Sequence, residues 1–207
     1  MSMNTVIHRA VRRDLRRFSD AMATFRDGDA DHASRLGAAW DNFRDQLHEH
    51  HTGEHQIAWP ALESLGVSRE LLLNLDEEHD AMAAALAAAD SELHALRESS
   101  SRADADSALV AVRHLEQVTV AHLDHEEAEV EPVYLAHKDG PELTAMSRQF
   151  RKMSLPRAGR FFAWLTDGAT PEERAAVTGT VPGPVFWLLN GLFGRDYRRT
   201  VATAWRS

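Results

Sequence analysis

The stretch LGAAWDNFRDQLHEHHTGEHQIAWP, residues 36–60, joins a helical apolar stripe to a dense group of histidines and glutamates. Between Leu36 and Leu47 the apolar residues recur at steps of three and four, which is the spacing of one face of an α-helix. The next positions on this face are His50, Glu54 and Ile57. Two polar side chains therefore take positions where the core of a helical protein is expected.

A second segment of the chain repeats this pattern. Its stripe runs through Leu115 to His122 and Glu126, so both segments contain H-x-x-x-E with a proline six residues after the glutamate. Each segment also follows an earlier histidine, which lies 42 residues before His50 and 43 residues before His122. The repeat predicts two helical hairpins that direct four histidines and two carboxylates inward. These residues are His8, His50, Glu54, His79, His122 and Glu126.

Apolar periodicity over about the first 135 residues predicts four amphipathic helices. The first ends at RDGDAD, the second ends near Pro60, the third begins after Ser68 as its N-cap, and the fourth ends near Pro132. Long helices with short polar connections are typical of a bundle. We therefore expect an all-α protein, with an antiparallel up-down-up-down four-helix bundle in residues 1–138 and a C-terminal helical extension in residues 139–207.

The extension differs from the predicted bundle in its charge. Residues 1–140 contain 13 Lys/Arg and 27 Asp/Glu, a net charge of −14, whereas residues 141–207 contain 10 and 5, a net charge of +5. Its segment VPGPVFWLLNGLFG is apolar but short, and RDYRR follows it. We expect this strip to pack on the bundle. Contact with a membrane surface, a homodimer surface or another partner are the alternatives.

Composition excludes several classes of protein. The chain has 207 residues and is 43% apolar, which is sufficient for one main core. It has no cysteine, so disulfides, thiolate nucleophiles and iron–sulfur ligation are excluded. Neither a secretory leader nor a transmembrane segment is evident, and we expect a cytoplasmic protein. The acidic body argues against binding of nucleic acid.

The two inward-facing glutamates are the most informative of the six residues. A lone histidine on an apolar face is commonly a hydrogen-bonded core residue, but a buried carboxylate without a partner costs several kcal/mol. A histidine and a glutamate at i and i+4 lie about 5 to 6 Å apart at Cβ, so both can reach one metal ion. Six nitrogen and oxygen ligands suit iron, manganese or zinc, and two carboxylates with two histidine pairs suit two ions.

In this order, the six residues resemble the hemerythrin-like (HHE) cation-binding domain, over residues 1 to about 137. The resemblance implies a non-haem di-iron centre in which each iron takes two histidines. It also implies that Glu54 and Glu126 bridge the two Fe ions together with an oxo, hydroxo or water ligand, with Mn or Zn as less favoured metals. Oxygen-carrying hemerythrins supply H-x-x-x-H from the third helix, whereas residue 83 here is alanine. The missing ligand implies an additional open position.

An additional open position favours a reactive or sensing centre over simple reversible oxygen carriage. The function implied is binding of O2, NO or peroxide, in sensing, detoxification or iron handling. An enzyme that consumes peroxide or NO is one alternative, and a structural bundle with an empty or zinc-filled site is another. The sequence leaves open whether the protein is an enzyme.

Other polar residues near the six are assigned to positions beside the ligands. His51 and His55 also stand four residues apart, but they are rotated by about 100° from the stripe. We expect His51, His125 and Tyr134 to lie next to the ligands, with His125 as a candidate proton shuttle. The third helix is expected to carry an acidic surface that faces solvent, formed by Asp76, Glu77 and Glu78.

Overall fold

The computed structural model describes residues 1–205, and all regular structure in that range is helical, which confirms the predicted all-α class. Arg206 and Ser207, the end of the predicted extension, lie outside the described residues. The helices are α1 (Met3–Ala23), α2 (Ala30–Gly53), α3 (Trp59–Ser64), α4 (Arg69–Ser99), α5 (Arg102–Ala136), α6 (Pro141–Phe150), α7 (Leu155–Leu165), α8 (Pro171–Thr180) and α9 (Gly183–Thr200). A π-helical turn, Glu54–Ala58, joins α2 to α3, and a 3-10 turn, Ala202–Trp205, follows α9.

Short polar side chains begin the four long helices α1, α2, α4 and α5. The Ser68 hydroxyl accepts a hydrogen bond from the backbone N–H of Leu71 at 3.1 Å, which confirms the predicted start of α4. The side chains of Ser2, Asp29 and Ser101 cap the other three helices in the same way. Each cap satisfies a backbone donor that has no partner within the helix. The local sequence therefore determines where these helices begin.

The two prolines of the repeat do not end their helices. Pro60 lies in the first turn of α3, where the missing N–H of proline costs least, and the chain remains helical to Ser64. Pro132 lies inside α5, which continues to Ala136. The predicted helix ends at these prolines were therefore wrong. Each proline removes one backbone hydrogen bond, but the residues after it still form helical turns.

The four long helices pack on one another. α4 lies against α5, α5 lies against α1, and α2 lies against α4. Ser2, which caps α1, contacts Glu131 of α5, and Ser19 of α1 contacts Glu116 of α5. Trp40 of α2 donates its indole N–H to Asp90 of α4. The apolar faces of these helices are buried and form the larger of two core clusters.

The C-terminal helices share this core. Trp164 on α7 is fully buried and donates its indole N–H to the Asp14 carboxylate of α1 at 2.7 Å. Arg13 donates to the carbonyl oxygens of Trp164 and Asp167 at 3.0 and 2.6 Å. α7 also packs on α9, and α8 packs on α1. Within residues 1–205, no helix has the length and apolar character needed to cross a membrane.

Candidate metal centre

Seven side chains converge between α1, α2, α4, α5 and the π-helical turn. All six predicted ligands are among them, and the seventh is His51, which the sequence analysis expected beside the ligands. Their potential ligand atoms form two groups, and within each group these atoms lie within 4.8 Å of one another. The groups are His8, His50, Glu54 and Glu126, and His51, His79 and His122.

The first group combines two histidines with both carboxylates. Nε2 of His8 lies 3.1 Å from Nε2 of His50 and 3.3 Å from Oε2 of Glu126. Nε2 of His50 also lies 3.1 Å from Oε1 of Glu54. All four side chains are almost excluded from solvent. Four potential ligand atoms are therefore close enough to share one cation.

The second group consists of three histidines. Nε2 of His79 lies 3.0 Å from Nε2 of His122. The His51 ring stacks on the His79 ring, with centroids 4.0 Å apart, and its centroid lies 6.0 Å from that of His122. Nε2 of His51 is buried without a hydrogen-bond partner in the described part of the chain. His51 therefore lies in the same group as the two predicted ligands His79 and His122.

Each carboxylate lies between the two groups of histidines. Glu54 places Oε1 at 3.1 Å from Nε2 of His50 and Oε2 at 3.4 Å from Nε2 of His79. Glu126 places Oε2 at 3.3 Å from Nε2 of His8 and 3.6 Å from Nε2 of His122. A carboxylate in such a position can contact two cations at once. Both glutamates therefore lie where the two groups of potential ligands meet.

The two carboxylates differ in protonation. Burial raises the pKa of Glu54 well above its ordinary value, and the charge of Glu126 adds to this effect. Burial opposes ionisation of Glu126 as well, but His8, His122 and Asn4 together lower its pKa to about 2. Asn4 donates its amide N–H to Oε1 of Glu126 at 2.7 Å. Glu126 is therefore ionised, whereas Glu54 favours the protonated form unless a cation compensates its charge.

Most histidines of the site favour the neutral form, which is the form that binds metals. Burial and the charges of neighbouring histidines lower the pKa of His50 and His51 well below the ordinary value. Burial and His122 lower the pKa of His79 to about 4. His8 is the exception: burial lowers its pKa, but Glu126 and Glu127 more than offset this effect and the pKa is raised.

Unpartnered atoms provide a test of whether a metal fits. Both side-chain oxygens of Glu54 and Oε2 of Glu126 are buried without a hydrogen-bond donor among residues 1–205, as is Nε2 of His51. Buried polar atoms are normally satisfied, and a buried carboxylate is costly without a partner. A cation between the two groups would satisfy all of these atoms. The residues present therefore fit a bound metal.

Outer carboxylates hold several of these rings. Oε1 of Glu127 lies 2.9 Å from Nδ1 of His8 and accepts a hydrogen bond from Arg12 at 2.6 Å. Glu78 lies 2.8 Å from Nδ1 of His122 and 2.7 Å from Nδ1 of His125. Because Nδ1 is engaged on the outside, Nε2 of His8 and of His122 is free to face the site. Sequence periodicity did not identify Glu127 or Glu78 in this role.

The acidic surface expected on α4 is only partly present. Glu77 is exposed, but Glu78 is half-buried against the histidines. Asp76 accepts a hydrogen bond from the indole N–H of Trp59 at 2.8 Å and lies 3.6 Å from Nδ1 of His79. Asp76 and Glu78 therefore contact histidines of the site, because α3 and α5 bring polar partners to the edges of α4.

The remaining candidates lie at different depths. His125 is half-exposed and contacts Glu78, which also holds His122. Tyr134 is buried, and burial together with the charges of Glu126 and Glu54 raises its pKa well above the ordinary value. His55 is exposed and contacts Asp76, and Ala83 is also exposed. A histidine at position 83 would therefore face away from the buried groups.

These observations define the chain as a helical protein with a buried site of nitrogen and oxygen ligands that could hold metal ions. The family model of the hemerythrin HHE cation-binding domain matches residues 5–134, a range that includes all seven side chains. The chain therefore belongs to the hemerythrin HHE cation-binding domain family, as the resemblance predicted. No significant match to a curated protein or to a solved structure was found.

Proposed function

We propose that this protein is a non-haem di-iron protein that binds O2, NO or peroxide, in sensing, detoxification or iron handling. The proposal includes an antiparallel up-down-up-down bundle of the four long helices in residues 1–138, with residues 139–207 as an extension packed on it. One observation supports the metal-site proposal most strongly. Each buried carboxylate lies between two groups of histidines, as a two-metal site requires.

The proposed ligands divide unequally between the two ions. One ion would be held by two histidines and the other by three, because His51 joins the second group. Glu54 and Glu126 lie between the groups and would contact both ions. The full set is His8 and His50 for the first ion, His51, His79 and His122 for the second, and both glutamates for the pair. His51 would replace the ligand missing at Ala83, and the first ion, which has one histidine fewer, would have room for a small ligand.

The number and type of the ligands support iron over zinc. Seven side chains with nitrogen or oxygen ligand atoms lie in the two groups, and a single tetrahedral zinc ion would leave three of them unused. Octahedral coordination by imidazole and carboxylate suits iron, and manganese is the less favoured alternative.

When bound, the metal pair would supply electrons to a small ligand that contains oxygen or nitrogen, and the two ions would share the loss of electrons. The protein's own residues prepare the site for this chemistry. Leu47, Met82 and Leu115, on three of the helices that carry ligands, are buried and help exclude bulk water. Asn4 holds one oxygen of Glu126 and leaves the other free. Glu127 and Glu78 fix the orientation of His8 and His122.

Metal analysis tests the proposal directly. Protein produced in iron-rich medium is expected to contain about two irons per chain and to absorb in the near ultraviolet when oxidised. Glu54→Ala and Glu126→Ala should each abolish loading of the pair, because each removes a bridging carboxylate. Glu77→Ala is the matched control, since Glu77 is exposed. Fewer than about one iron per chain in the unmodified protein would refute the di-iron assignment.

Reaction with added ligands separates binding from turnover. A sensor or carrier should form a stable spectroscopic adduct with NO or O2 and should consume no further ligand. An enzyme should consume many equivalents of peroxide or NO per iron pair. Protein that loads zinc in preference to iron, and shows neither behaviour, would instead support a structural site.

A further inference from the structure

The helix α9 has two apolar faces, and only one of them is covered. Phe186, Leu189 and Tyr197 are buried against neighbouring helices. The exposed part of α9 carries Val185, Trp187, Leu188 and Leu192, which are between 46% and 66% exposed. At 100° per residue, Leu188 and Leu192 share one face, and Val185 and Trp187 lie on its two flanks. These four residues are called the α9 strip. A patch of four large apolar side chains that includes a tryptophan is unusual on a protein surface without a binding role.

A basic cleft adjoins the α9 strip. It has a volume of about 770 Å³ and shares Leu192 with the strip. Four arginines line it, together with Pro156, Phe193 and one acidic residue, Asp196. The arginines are Arg157, Arg160, Arg195 and Arg199. Apolar and cationic surfaces are therefore continuous at this end of the molecule.

The cleft retains an excess of positive charge. Asp196 pairs with Arg160 at 2.7 Å and with Arg199 at 3.6 Å, so one carboxylate serves two guanidinium groups. Arg157 pairs with Glu49. Arg195 forms no ion pair with any residue in the range 1–205. The positive charge of the cleft is therefore not fully compensated within the described part of the chain, and it can attract an anionic partner.

We propose that the α9 strip and the basic cleft bind the surface of an anionic phospholipid bilayer. Trp187, Leu188 and Leu192 enter the boundary between headgroups and acyl chains, where tryptophan and leucine are favoured. The cleft arginines bind lipid phosphates, and the apolar stems of Arg195 and Arg199 lie along the interface. The protein lies on the membrane and does not cross it.

A second copy of the chain fits this surface less well. The exposed large apolar residues on α4 and α5 are Leu73, Val110 and Leu135, and they are separated along these helices. The acidic body therefore offers no apolar patch to match the α9 strip. If two strips paired with each other, the arginines of each copy would face the partner's arginines or its apolar side chains. Both arrangements are unfavourable.

The charge distribution of the whole chain also favours an anionic bilayer. Residues 1–140 have a net charge of −14, and residues 141–207 have a net charge of +5. Anionic lipids attract the basic end and repel the acidic body. The protein is therefore oriented with α9 toward the bilayer and most of the acidic body toward water. Salt should weaken this attraction, because the arginines are near the surface.

Co-sedimentation with vesicles tests the proposal. Full-length, metal-loaded protein should bind vesicles of phosphatidylglycerol and phosphatidylcholine and should bind phosphatidylcholine alone at least about tenfold more weakly. Trp187→Glu with Leu188→Glu should reduce binding by at least about tenfold. Arg195→Gln with Arg199→Gln should reduce it by about thirtyfold and should lower its salt dependence. Neither pair of substitutions touches the metal site.

Val110→Glu is the matched control, because Val110 is an exposed apolar residue on α5 and is 70% exposed. Its vesicle binding should equal that of the unmodified protein, and circular dichroism should show the same helix content in all variants. Unchanged binding after the Trp187 and Leu188 substitutions would overturn the proposal. A second outcome would also overturn it: the protein does not bind vesicles, and sedimentation equilibrium shows dimers that these substitutions dissociate.

Discussion

Glu54 and Glu126 occupy equivalent positions in the internal repeat, but their surroundings differ. Glu126 already receives a hydrogen bond from Asn4 on one oxygen, and the nearby His8 stabilises its negative charge. Glu54 has no hydrogen-bond donor for either oxygen within residues 1–205. Burial and the charge of Glu126 make its ionised form more costly still. Glu54 is therefore the residue of the pair that depends most on a bound cation.

His51 and His55 provide a test of the ligand assignment at the level of single residues. The ring of His51 stacks on His79, and its Nε2 is buried without a partner, whereas the His55 side chain is 68% exposed. His51→Ala should lower bound iron from about two ions toward one ion per chain, because the second ion loses a ligand.

His55→Ala is the matched control, since it lies four residues along the same segment and should keep the full iron content. Elemental analysis of purified protein, normalised to chain concentration, measures both effects. Equal iron in His51→Ala and in the unmodified protein would show that two histidines are sufficient at the second ion. His51 would then have a supporting role beside the ligands, as its position off the apolar stripe predicts.

Helical spacing identified six of the seven converging side chains because each lies on the apolar stripe of its own helix. His51 lies about 100° from that stripe in an ideal helix, so spacing excluded it from the ligand set. Its contact with His79 depends on how α2 and α4 are placed side by side. Glu78 and Glu127 were missed for the same reason. They reach histidines of neighbouring helices, which single-helix periodicity cannot predict.

The π-helical turn Glu54–Ala58 shows how a local element changes the buried face. A π turn places one additional residue in the helix and rotates the residues that follow it. Ile57 continues the stripe in the sequence, yet it is half-buried, whereas Ala58 and Trp59 are fully buried. Trp59 then donates its indole N–H to Asp76. An ideal helical period therefore predicts the face correctly up to Glu54 and incorrectly beyond it.

The contact between α1 and α7 depends on one buried carboxylate. Asp14 is 1% exposed and accepts hydrogen bonds from Arg13 at 2.8 Å and from the indole of Trp164 at 2.7 Å. Asp14→Ala should lower the free energy of unfolding by about 3 kcal/mol, because it removes the acceptor of the buried Trp164 indole N–H and the counter-ion of the Arg13 guanidinium. Chemical denaturation followed by circular dichroism measures this change.

Asp20→Ala is the control for that substitution, because Asp20 lies on the same helix but is exposed. Its effect should stay within about 0.5 kcal/mol. A similar small loss for Asp14→Ala would mean that apolar packing alone attaches α7 to α1. The hydrogen-bond network around Asp14 would then contribute little to stability.

At the scale of the whole molecule, the sequence predicted the helical class and the packing of a C-terminal apolar strip on the preceding helices, but not which residues form the shared core. Phe18 of α1 lies against Trp205, with ring centroids 4.9 Å apart. Trp164 and Tyr197 are fully buried in the same apolar cluster as residues of α1 and α2. Such contacts join residues that are far apart in the chain, and the periodicity of apolar residues within one helix cannot predict them. A change in composition near residue 138 therefore does not mark a break in the core.

Removal of the C-terminal part should consequently destabilise the rest of the protein. A chain that ends at Lys138 loses Phe162, Trp164 and Tyr197 from the core and exposes the apolar residues they cover. We expect it to aggregate or to melt at least about 10 °C below the full chain, because several large side chains lose their buried surface together. Size-exclusion chromatography and thermal unfolding measure the two effects.

The control is a full chain with a protease site inserted in the turn between α5 and α6. After cleavage the two fragments should stay together and retain their iron, because packing between them does not require the peptide bond at that turn. If the truncated chain is soluble, loads iron fully and melts with the full chain, the core contacts of α7 and α9 contribute no stability. Residues 1–138 would then fold independently of the helices that follow them.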